Sequence, residues 1–533
     1  MRYKTLTSLL AMIVLTTLAV SATAAQEQGA EPQHEKAHLR YRFVDLGTFG
    51  GPESYINAAF SLGSPNQINN RGTVVGAAAT LIPTPPNKQI CGGPDGLVPF
   101  VFHAFAWQDG VLADLGALPG VECSQAVSIN ANGEIVGGSG NGVIDPVGGG
   151  IEEVRAVLWK DGEIRDLGTL GGSESTAAAI NNRGQVIGFS TNAIPDPFSL
   201  LYFPAGITNG MQTRAFLWHK GQMQDLDTLG GPDAQAFGLN ERGQVIGISY
   251  INSTPNSTTG VPTADPFLWT EDRGMIDLGT LGGAWGSASA LNNRGQVIGT
   301  SSLAADPAAC FTGNDPQNCH PFFWDNGKLI DLTAQSGGLI VNANAINDAG
   351  EIVGLACFPN GTCHAYLWRS GVMTDLGALP GDCFSQPFAI NSRGQVVGQS
   401  FSCDGSGRVF LWQNGSMIDL NALVPPGSSL QLDNTEAIND RGEIGGEGLP
   451  PGCSLDTKCG QAFLLIPCDG EHSDEKGCED EGDARTAAIQ NNPAPANQRP
   501  TSAMEAGMTV REIEARMRAR FGLHRGLGAW AHP

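Results

Sequence analysis

The chain has 533 residues, of which 72 are Gly, and only 16% are charged against a usual ~25%. Its formal net charge of -23 argues against a basic phosphate-binding face, so no nucleic-acid partner is expected. With 41% hydrophobic residues the chain can bury a large core, which excludes general disorder, and the Gly surplus favours a turn-rich all-β protein.

The first 25 residues are predicted to be an export signal. Arg2 and Lys4 form a positive start, residues 9–20 form a mostly apolar core, and residues 22–24 (Ala-Thr-Ala) provide small residues for cleavage. The apolar core is shorter than a membrane span, although an uncleaved anchor is the alternative. We therefore expect a secreted or periplasmic protein of bacterial type, with no transmembrane segment after the signal is removed.

Residues 26–40 form a polar lead-in that contains a zinc-like motif. Residues 34–38 read His-Glu-Lys-Ala-His, which matches His-Glu-x-x-His letter for letter. That motif binds zinc when both His side chains lie on one face of a packed helix and a third ligand is nearby. Neither an apolar helical face nor a third ligand accompanies His34 and His38. We interpret the match as coincidence and predict no metal and no cofactor.

Residues 41–467 repeat one unit. An Ile/Leu-Asn-x-x-Gly motif and an Asp-Leu pair each occur eight times, and a strand ending in Trp occurs seven times. The motif asparagines are Asn69, Asn130, Asn181, Asn240, Asn292, Asn347, Asn391 and Asn439. Without insertions the unit is about 44 residues long, which is the size of a four-stranded propeller blade.

One copy illustrates the four strands predicted for each unit. Residues 177–180 form the first strand, and Asn-Asn-Arg-Gly at 181–184 forms a tight turn with Gly at the position that needs a positive φ. Residues 185–188 form the second strand. After a variable loop, residues 214–218 form the third strand and residues 223–226 the fourth.

The ends of the repeat array predict a ring. The chain enters on a fourth strand at residues 41–47 and leaves on a third strand at 461–465, so these two fragments complete one unit. Pairing them removes free sheet edges, which an open solenoid would leave exposed. The predicted fold is therefore all-β, a closed β-propeller of eight four-stranded blades, with seven blades as the alternative.

The C-terminal part differs in composition. Residues 468–508 are predicted to be an acidic and Pro/Asn-rich linker, with eight acids and one Lys between residues 469 and 483. Residues 509–533 are predicted to form a short amphipathic helix and tail, because four apolar residues follow a capping box at helical intervals. They are Val510, Ile513, Met517 and Phe521. Docking of this helix on its own domain and binding to a partner are both open.

Twelve cysteines are interpretable as disulfides in an oxidising compartment. None has the Cys-x2-Cys spacing of a zinc site. The candidate pairs are Cys91 with Cys123, Cys310 with Cys319, Cys357 with Cys363, Cys383 with Cys403, Cys453 with Cys459, and Cys468 with Cys478. Spacing alone leaves the connectivity open.

The repeated phrases resemble a known family. Asp-Leu-Gly-Thr-Leu-Gly-Gly at 166–172 and 277–283, Ile-Asn-Asn-Arg-Gly-Gln-Val-Ile-Gly at 180–188 and His-Ala-Phe at 103–105 are similar to the HAF family of extracellular repeats, over about residues 41–467. The resemblance implies export and a repeat fold, and it brings no assigned activity, ligand or catalytic residue. The chain departs from the family's His in four copies: Arg155, Arg214, Asp265 and Arg408 stand where His103, His320 and His364 stand in others.

Strand alternation predicts two different faces. The short turns between first and second strands share one face, whereas the loops between second and third strands lie on the other and vary in length. Variable loops on a rigid scaffold usually carry function. Trp285 lies in an interblade crossing on this loop-rich face and is the candidate ligand-binding residue, with local packing as the alternative. The repeated Asp, Asn and Trp are interpreted as serving each blade.

No catalytic residue is predicted. Gly-x-Ser occurs at residues 188–190, 247–249, 299–301 and 398–400, and none of these has the second Gly of a nucleophile elbow. We therefore expect an exported, non-enzymatic propeller that binds a glycan, a cell-envelope component or a protein through its loop-rich face. A secreted hydrolase or lyase with carboxylates in the channel and a purely structural surface protein are the alternatives, and the oligomeric state is open.

Overall fold

The structure is a computed structural model that describes residues 39–56, 66–84, 100–121, 123–144, 152–200, 210–312, 317–425, 427–453, 459–469 and 478. The chain divides into Met1–His38 and Leu39–Pro533, and every described residue belongs to the second unit. The predicted export signal, the motif at 34–38 and the helix predicted within 509–533 lie outside the described residues. In the described ranges, no helix is long and apolar enough to cross a membrane.

The described part is nearly all-β, with two short α-helices. The strands are β1 Tyr41–Asp45, β2 Gly50–Tyr55, β3 Val74–Pro83, β4 Phe100–Gln108, β5 Val111–Asp114, β6 Ser124–Ile129, β7 Ile135–Ile144, β8 Glu152–Lys160, β9 Glu163–Asp166, β10 Ser175–Ile180, β11 Val186–Pro195, β12 Met211–His219, β13 Gln222–Asp225, β14 Ala234–Leu239, β15 Val245–Pro255, β16 Pro262–Thr270, β17 Gly274–Asp277, β18 Gly282–Leu291, β19 Val297–Leu303, β20 Cys319–Asp325, β21 Lys328–Asp331, β22 Ala345–Ile346, β23 Ile352–Cys357, β24 Cys363–Arg369, β25 Val372–Gly377, β26 Asp382–Ile390, β27 Val396–Ser402, β28 Gly407–Gln413, β29 Ser416–Asp419, β30 Gln431–Ile438, β31 Ile444–Leu449 and β32 Gln461–Pro467. The helices are α1 Ala309–Thr312 and α2 Leu332–Gln335, and a 3₁₀ helix spans Leu420–Leu423.

The strands sort into four-stranded antiparallel units. From β2 onwards, each group of four consecutive strands pairs in chain order, through β26 to β29. The last unit contains β30, β31 and β32 and takes its fourth strand from the start of the array, because β1 pairs antiparallel with β32. Single parallel bridges join two pairs of neighbouring units, at Ala264–Trp285 and at Cys363–Phe384. Among the described strands no sheet closes on itself.

The first strand of each unit is the inner one. β10 is almost entirely buried, whereas the fourth strand β13 alternates between exposed and half-buried residues. The first strands of successive units contact one another along the series β6, β10, β14, β18, β22, β26 and β30. The units therefore pack with their first strands together and their fourth strands towards solvent.

The apolar core lies between neighbouring units. In one cluster, Leu217 of β12 packs with Val245, Phe267 and Trp269 of the following unit. Most of the repeated Trp residues are buried in such layers: Trp107, Trp159, Trp218, Trp269 and Trp368. Burial of these rings removes apolar area from water at every interface between units, which stabilises the array.

A glycine in the second strand of most units is required by a bulge in the first strand. β10 has a register shift between Ala177 and Ala179 where it pairs with β11. Because of this bulge, a Cβ at Gly188 would overlap the carbonyl oxygen of Thr176. Only Gly fits where another backbone approaches this closely. The Gly of the repeated Val-Ile-Gly phrase is therefore required by the packing of the first strand.

Candidate functional site

Eight asparagines link successive units at the turns between first and second strands, hereafter the turn face. The Nδ2 of each asparagine donates to the backbone carbonyl of the asparagine in the next unit. The bonds run from Asn69 to Asn130 (3.1 Å), Asn130 to Asn181 (3.0 Å), Asn181 to Asn240 (3.1 Å), Asn240 to Asn292 (3.0 Å), Asn292 to Asn347 (3.0 Å), Asn347 to Asn391 (3.0 Å), Asn391 to Asn439 (2.9 Å) and Asn439 to Asn69 (3.0 Å). The last bond returns to the first unit, so the series is cyclic; we call it the asparagine ring.

Asn181 shows why this position needs an amide. Its Oδ1 accepts the backbone N–H groups of Arg183 and Gln185, both at 3.1 Å. Its Nδ2 donates to Gln185 Oε1 at 2.8 Å and to the carbonyl of Asn240 at 3.1 Å. All four hydrogen-bonding positions of the amide are used in a side chain that is 3% exposed. Asp has no N–H to donate, and Ser is too short to span both turns.

The turn glycine is required for a second reason besides its backbone angle. Gly243 has φ of +79°, and a Cβ there would lie 2.9 Å from Gln185 Oε1 of the preceding unit. The side chain that follows one turn therefore packs directly on the glycine of the next turn. Neighbouring turns fit together without space for a larger residue.

Arginine occupies the position two residues after the ring asparagine in six units. The six, hereafter the arginine ring, are Arg71, Arg183, Arg242, Arg294, Arg393 and Arg441. In each, the backbone N–H donates to Oδ1 of the ring asparagine. Five of the side chains are exposed, and Arg441 is half-buried, 3.6 Å from Glu443 Oε1. The asparagine ring thus holds six cationic side chains around one end of the array.

Half of the arginine ring has no fixed partner within the described ranges. The guanidinium groups of Arg71, Arg242 and Arg294 make no ion pair and no hydrogen bond there. The Nη1 of Arg183 donates to the backbone carbonyl of Arg242 at 3.4 Å. Unpaired guanidinium groups present planar, permanently charged donors that suit carboxylates and other oxyanions.

Carboxylates on the same turns are engaged by their neighbours. Asp348 accepts the N–H of Asn293 at 2.8 Å, and Asp440 accepts the N–H of Ser392 at 2.9 Å. Burial opposes ionisation of Asp440, but hydrogen bonds from Ser392 and Asn70 and the charge of Arg393 outweigh it, so its pKa lies below the usual value. Glu241 also accepts a neighbouring N–H, from Asn182. These acids therefore accept hydrogen bonds from neighbouring turns, and within the described ranges none of the three pairs with Arg71, Arg242 or Arg294.

The sequence contains a signal for the arginine ring. Thirty Lys and Arg residues are spread over 533 positions, yet six arginines recur at one turn position. Repetition suggested a role within each blade, and the asparagines have such a role in their own turns while also bonding to the next unit. That role does not account for exposed cations that the turn itself does not need.

Trp285 does not present a ring for stacking. It is 3% exposed and packs against Phe311, with ring centroids 4.8 Å apart, and edge-on against Tyr250 at 6.3 Å. Leu200 and Phe237 belong to the same cluster. Trp285 is therefore not the exposed ligand-binding residue that its place in an interblade crossing suggested, because aromatic and aliphatic neighbours cover the indole and local packing accounts for it.

Five of the six candidate cysteine pairs form disulfides in the structure. The bonds are Cys310–Cys319, Cys357–Cys363, Cys383–Cys403, Cys453–Cys459 and Cys468–Cys478. Cys123 is also oxidised, and Cys91 lies outside the described residues. The first four bonds brace loops or strand ends on the face opposite the turn face.

The serines of the Gly-x-Ser phrases act on the chain crossings between units. Ser190 Oγ accepts the N–H of Leu170 at 3.0 Å and donates to the carbonyl of Glu174 at 2.9 Å. Ser249 does the same with Leu229 and Asp233. Each hydroxyl is committed to backbone groups, which agrees with the absence of a nucleophile motif.

Buried acids on the loop face do not form an open catalytic or metal site. Burial, followed by the charge of Asp196, raises the pKa of Asp233 to about 8. Asp233 is fully buried and accepts the N–H groups of Leu200 and Thr213. No group of three His, Cys, Asp or Glu among the described residues could hold a metal.

The loop face also has a cleft of about 500 Å³, lined by residues between Asn421 and Gln431 and between Leu449 and Cys453. Among the described residues, its lining contains no charged side chain.

A His or Arg on the third strand contacts the repeated Asp of the fourth strand in five units. His103 Nδ1 lies 2.8 Å from Asp114 Oδ2, and Arg214 Nε lies 3.0 Å from Asp225 Oδ2. Asp265 occupies this position in one unit. Burial, together with the charge of Asp277 and a hydrogen bond to it, raises the pKa of Asp265 to about 7. Two carboxyl groups therefore meet where these other units pair the Asp with His or Arg.

We expect Asp265 to make the folded state less stable as pH rises. The folded-state pKa is about 7 and the unfolded one about 3.9, so the folded chain binds one more proton between these values. Stability from this group is fully present below the unfolded pKa and is lost as pH rises through about 7, by at most about 1.4 kcal/mol per pH unit. Urea unfolding between pH 5 and 8 would measure the slope.

Asp265→Asn should flatten this dependence relative to the unaltered chain. The matched control is Asp109→Asn, which removes an exposed turn carboxylate and should leave the slope unchanged. If the free energy of unfolding changed with pH by the same slope in the unaltered chain and in Asp265→Asn, the carboxyl pair would not share a proton.

No family model and no curated protein matches the chain, so the resemblance to the HAF repeats stays a prediction. Among solved structures, the chain is similar to an acylaminoacyl peptidase of Pyrococcus horikoshii (12% identity over 75% of this chain and 59% of that one, TM-score 0.37). It is similar to the β-propeller domain of the Trilobed protease from Pyrococcus furiosus (10% identity over 67% of this chain and 98% of that one, TM-score 0.37). It is also similar to a puromycin-hydrolyzing peptidase of Mycobacterium tuberculosis (12% identity over 76% of this chain and 62% of that one, TM-score 0.39). The chain spans about three fifths of the acylaminoacyl peptidase, and likenesses this low transfer no activity to it.

These findings correct the expected function. The sequence suggested a non-enzymatic propeller that binds a glycan, an envelope component or a protein through its loop-rich face, whereas the similar structures are peptidases and the propeller domain of a protease. The loop face supplies a physical reason for the correction, because the one side chain proposed for contact, Trp285, is buried.

Proposed function

We propose that the four-stranded units form a closed eight-bladed β-propeller. Two observations support this arrangement. The first is the pairing of β1 with β32, which joins the two ends of the array within one sheet. The second is the cyclic asparagine ring, in which the eighth bond returns from Asn439 to Asn69. In this arrangement the ring surrounds one end of the propeller axis.

The function of this propeller is to bind an acidic peptide segment at the turn-face end of its axis. The observation that carries the proposal is the arginine ring: six arginines at one turn position, three of them without a fixed partner in the described ranges. Each guanidinium can pair with a carboxylate through two parallel hydrogen bonds. A rigid ring presents these donors in fixed positions, which lowers the entropy cost of binding.

Charge density favours carboxylates over polyphosphates or nucleic acid as ligands. Glu241, Asp348 and Asp440 lie on the same face as the arginines, one residue after a ring asparagine, so the local excess of positive charge is small. A nucleic acid gains affinity by releasing counterions from many phosphates, and the surrounding chain carries a net charge of -23. A short segment with spaced carboxylates fits such a surface better than a dense polyanion.

The site is proposed to work outside the cytoplasm. Five disulfides in the described ranges fit an oxidising compartment, since thiols stay reduced in the cytosol. Secretion and residence in the periplasm both satisfy this condition. The predicted export signal at residues 1–25 points the same way.

Fluorescence anisotropy with a fluorescein-labelled hexaglutamate peptide tests the site. The triple variant Arg71→Gln, Arg242→Gln and Arg294→Gln removes the three unpaired guanidinium groups and keeps the turn backbone. We expect its affinity to fall at least about tenfold at low ionic strength, since three charge-assisted pairs are lost. Binding by the unaltered chain should weaken as salt is added.

The control changes the same number of charges on the same face. Lys220, Arg273 and Lys328 are exposed on the outer turns between third and fourth strands, and their replacement by Gln should lower affinity far less. Equal losses in both triple variants would mean that only net charge matters. No loss in the arginine variant would refute the proposed site.

A further inference from the structure

The arginine ring is interrupted at two turns, which divide it into two arcs of three. The bonds of the asparagine ring give the order of the turns, and the bond from Asn439 to Asn69 makes that order cyclic. The first arc consists of Arg183, Arg242 and Arg294, and the second arc of Arg393, Arg441 and Arg71. The two arcs therefore have the same number of arginines, on three successive turns each.

The turns that separate the arcs have no ring arginine and add no net positive charge. Their residues at the arginine position are Asn132 and Ala349. In one of these units, Nζ of Lys160 donates to Oε1 of Glu134 at 2.7 Å. In the other, Nε of Arg369 donates to Oε1 of Glu351 at 2.6 Å. Each of these cations is thus balanced by a carboxylate of its own unit.

Within the first arc, the side chains that fit between neighbouring turns are neutral amides. Gln185 packs on Gly243. In the same way, a Cβ at Gly295 would lie 3.0 Å from Oε1 of Gln244. Each Gln also accepts a hydrogen bond from the ring asparagine of its own turn. The turns of the first arc are therefore packed together without a charge between them.

The second arc has a buried carboxylate at one such position. Glu443 is 1% exposed, and a Cβ at Gly72, the residue after Arg71, would lie 3.1 Å from its Oε1. The same oxygen lies 3.6 Å from Nη1 of Arg441. Salt screens a buried charge much less than an exposed one. A carboxylate therefore lies between two turns of the second arc and pairs with an arginine of that arc.

Acids nearer the surface do not distinguish the arcs in this way. Glu241 and Asp348 lie beside the first arc, and Asp440 lies beside the second. Each accepts a backbone N–H of the preceding turn, and salt screens its effect on the arginines. Both arcs have such acids, so the buried Glu443 is what sets the second arc apart.

We propose that an acidic segment binds to the first arc and that Glu443 keeps it from the second. This inference rests on the proposed function of the ring and assigns that function to particular arginines. Three guanidinium groups on successive turns can each pair with a carboxylate of one segment. In the second arc, Arg441 is half-buried and already paired, so a ligand carboxylate would compete with Glu443 for it.

Two triple variants compare the arcs with equal changes of charge. The first combines Arg183→Gln, Arg242→Gln and Arg294→Gln, and the second combines Arg71→Gln, Arg393→Gln and Arg441→Gln. Hexaglutamate affinity, measured by fluorescence anisotropy at low ionic strength, should fall at least about tenfold in the first variant and less than about threefold in the second. Urea unfolding of both variants checks that the fold is retained.

Glu443→Gln tests the role of the carboxylate. Gln is the residue at this position in four other units, including Gln185 and Gln244, so the change is compatible with the turn. Added to the first triple variant, it should raise hexaglutamate affinity at least about threefold, because it releases Arg441 to pair with the ligand. Added to the second triple variant, it should have a much smaller effect, which controls for the loss of one negative charge.

The outcomes separate this inference from the function on which it rests. Equal losses in the two triple variants, or a larger loss in the second, would overturn the preference for the first arc and leave the ring as the binding site. An equal gain from Glu443→Gln in both backgrounds, or no gain in either, would refute the role of the carboxylate. Unchanged affinity in both triple variants would overturn the proposed function itself.

Discussion

Asn181→Ala should destabilise the folded chain by about 2–4 kcal/mol. The change removes all four hydrogen bonds of a buried amide. It leaves the N–H groups of Arg183 and Gln185 and the carbonyl of Asn240 without that partner in a site with little access to water. The free energy of unfolding measured in urea would report this loss, and hydrogen exchange would locate it at the turn.

Two further variants separate the ring from the turn. Asn181→Asp keeps the acceptor for the turn but has no N–H for Asn240, and we expect a loss comparable with that of the Ala variant because a carboxylate would face a carbonyl. The matched control is Asn182→Ala, since another unit carries Ala131 at this position. If Asn182→Ala lowered the free energy of unfolding as much as Asn181→Ala, the asparagine ring would not be the main source of stability at this turn.

Val44→Pro should be among the most damaging single changes in an outer strand. The N–H of Leu46 donates to the carbonyl of Ala462 in β32. Because every second residue of an antiparallel strand bonds to the partner strand, the N–H of Val44 also points to β32. Pro removes that donor and obstructs the pairing, at a cost of at least about 2 kcal/mol. Because this pairing also joins the two ends of the array, its loss should broaden the urea transition and lower its m-value.

The chain offers a matched position for this test. Gln224 of β13 pairs with Leu217 as Val44 pairs with Leu464, but its strand is tethered to β12 by a two-residue turn. Gln224→Pro should therefore reduce stability without broadening the transition, and Val44→Ala controls for the lost side chain. Identical behaviour of the two Pro variants would refute the idea that β1 closes a ring.

The pH-sensitive carboxyl pair and the arginine ring suggest different uses of charge in one fold. Asp265 and Asp277 meet inside a unit, where burial raises the pKa of Asp265 to about 7. The arginine ring stays at the surface, where salt screens its interactions. The carboxyl pair should affect stability and respond to pH, whereas the arginine ring should affect binding and respond to ionic strength. The two effects can therefore be measured separately.

Much of the fold was accessible from the sequence because its determinants are local. Residues 177–180, 185–188, 214–218 and 223–226 fall within or overlap β10 to β13, since alternating apolar residues and turn residues are properties of a few consecutive positions. β11 extends further than expected, to Pro195, because it continues to pair with β12 beyond the conserved phrase of the repeat. Close spacing likewise indicated the disulfide partners.

Other features depend on contacts between distant parts of the chain and could not be predicted from the sequence. The Gly surplus indicated a turn-rich protein, but Gly188 lies in a strand and is required by the bulge in β10 and the carbonyl of Thr176. Trp285 stood out as a singular aromatic, yet Tyr250 and Phe311 from separate elements cover it. Which side chains a ring covers depends on distant residues that a linear pattern does not bring together.

The sequence alone determined the repeated unit, its four strands and the residues of its turns, because backbone angles and strand periodicity act over short distances. The tertiary structure decided what those turn residues do. It brought Asn439 beside Asn69, 370 positions away, and thereby placed six arginines around one end of the array. That grouping arises because each turn's hydrogen bonds are completed by the next unit, which is a property of packing and not of any single repeat.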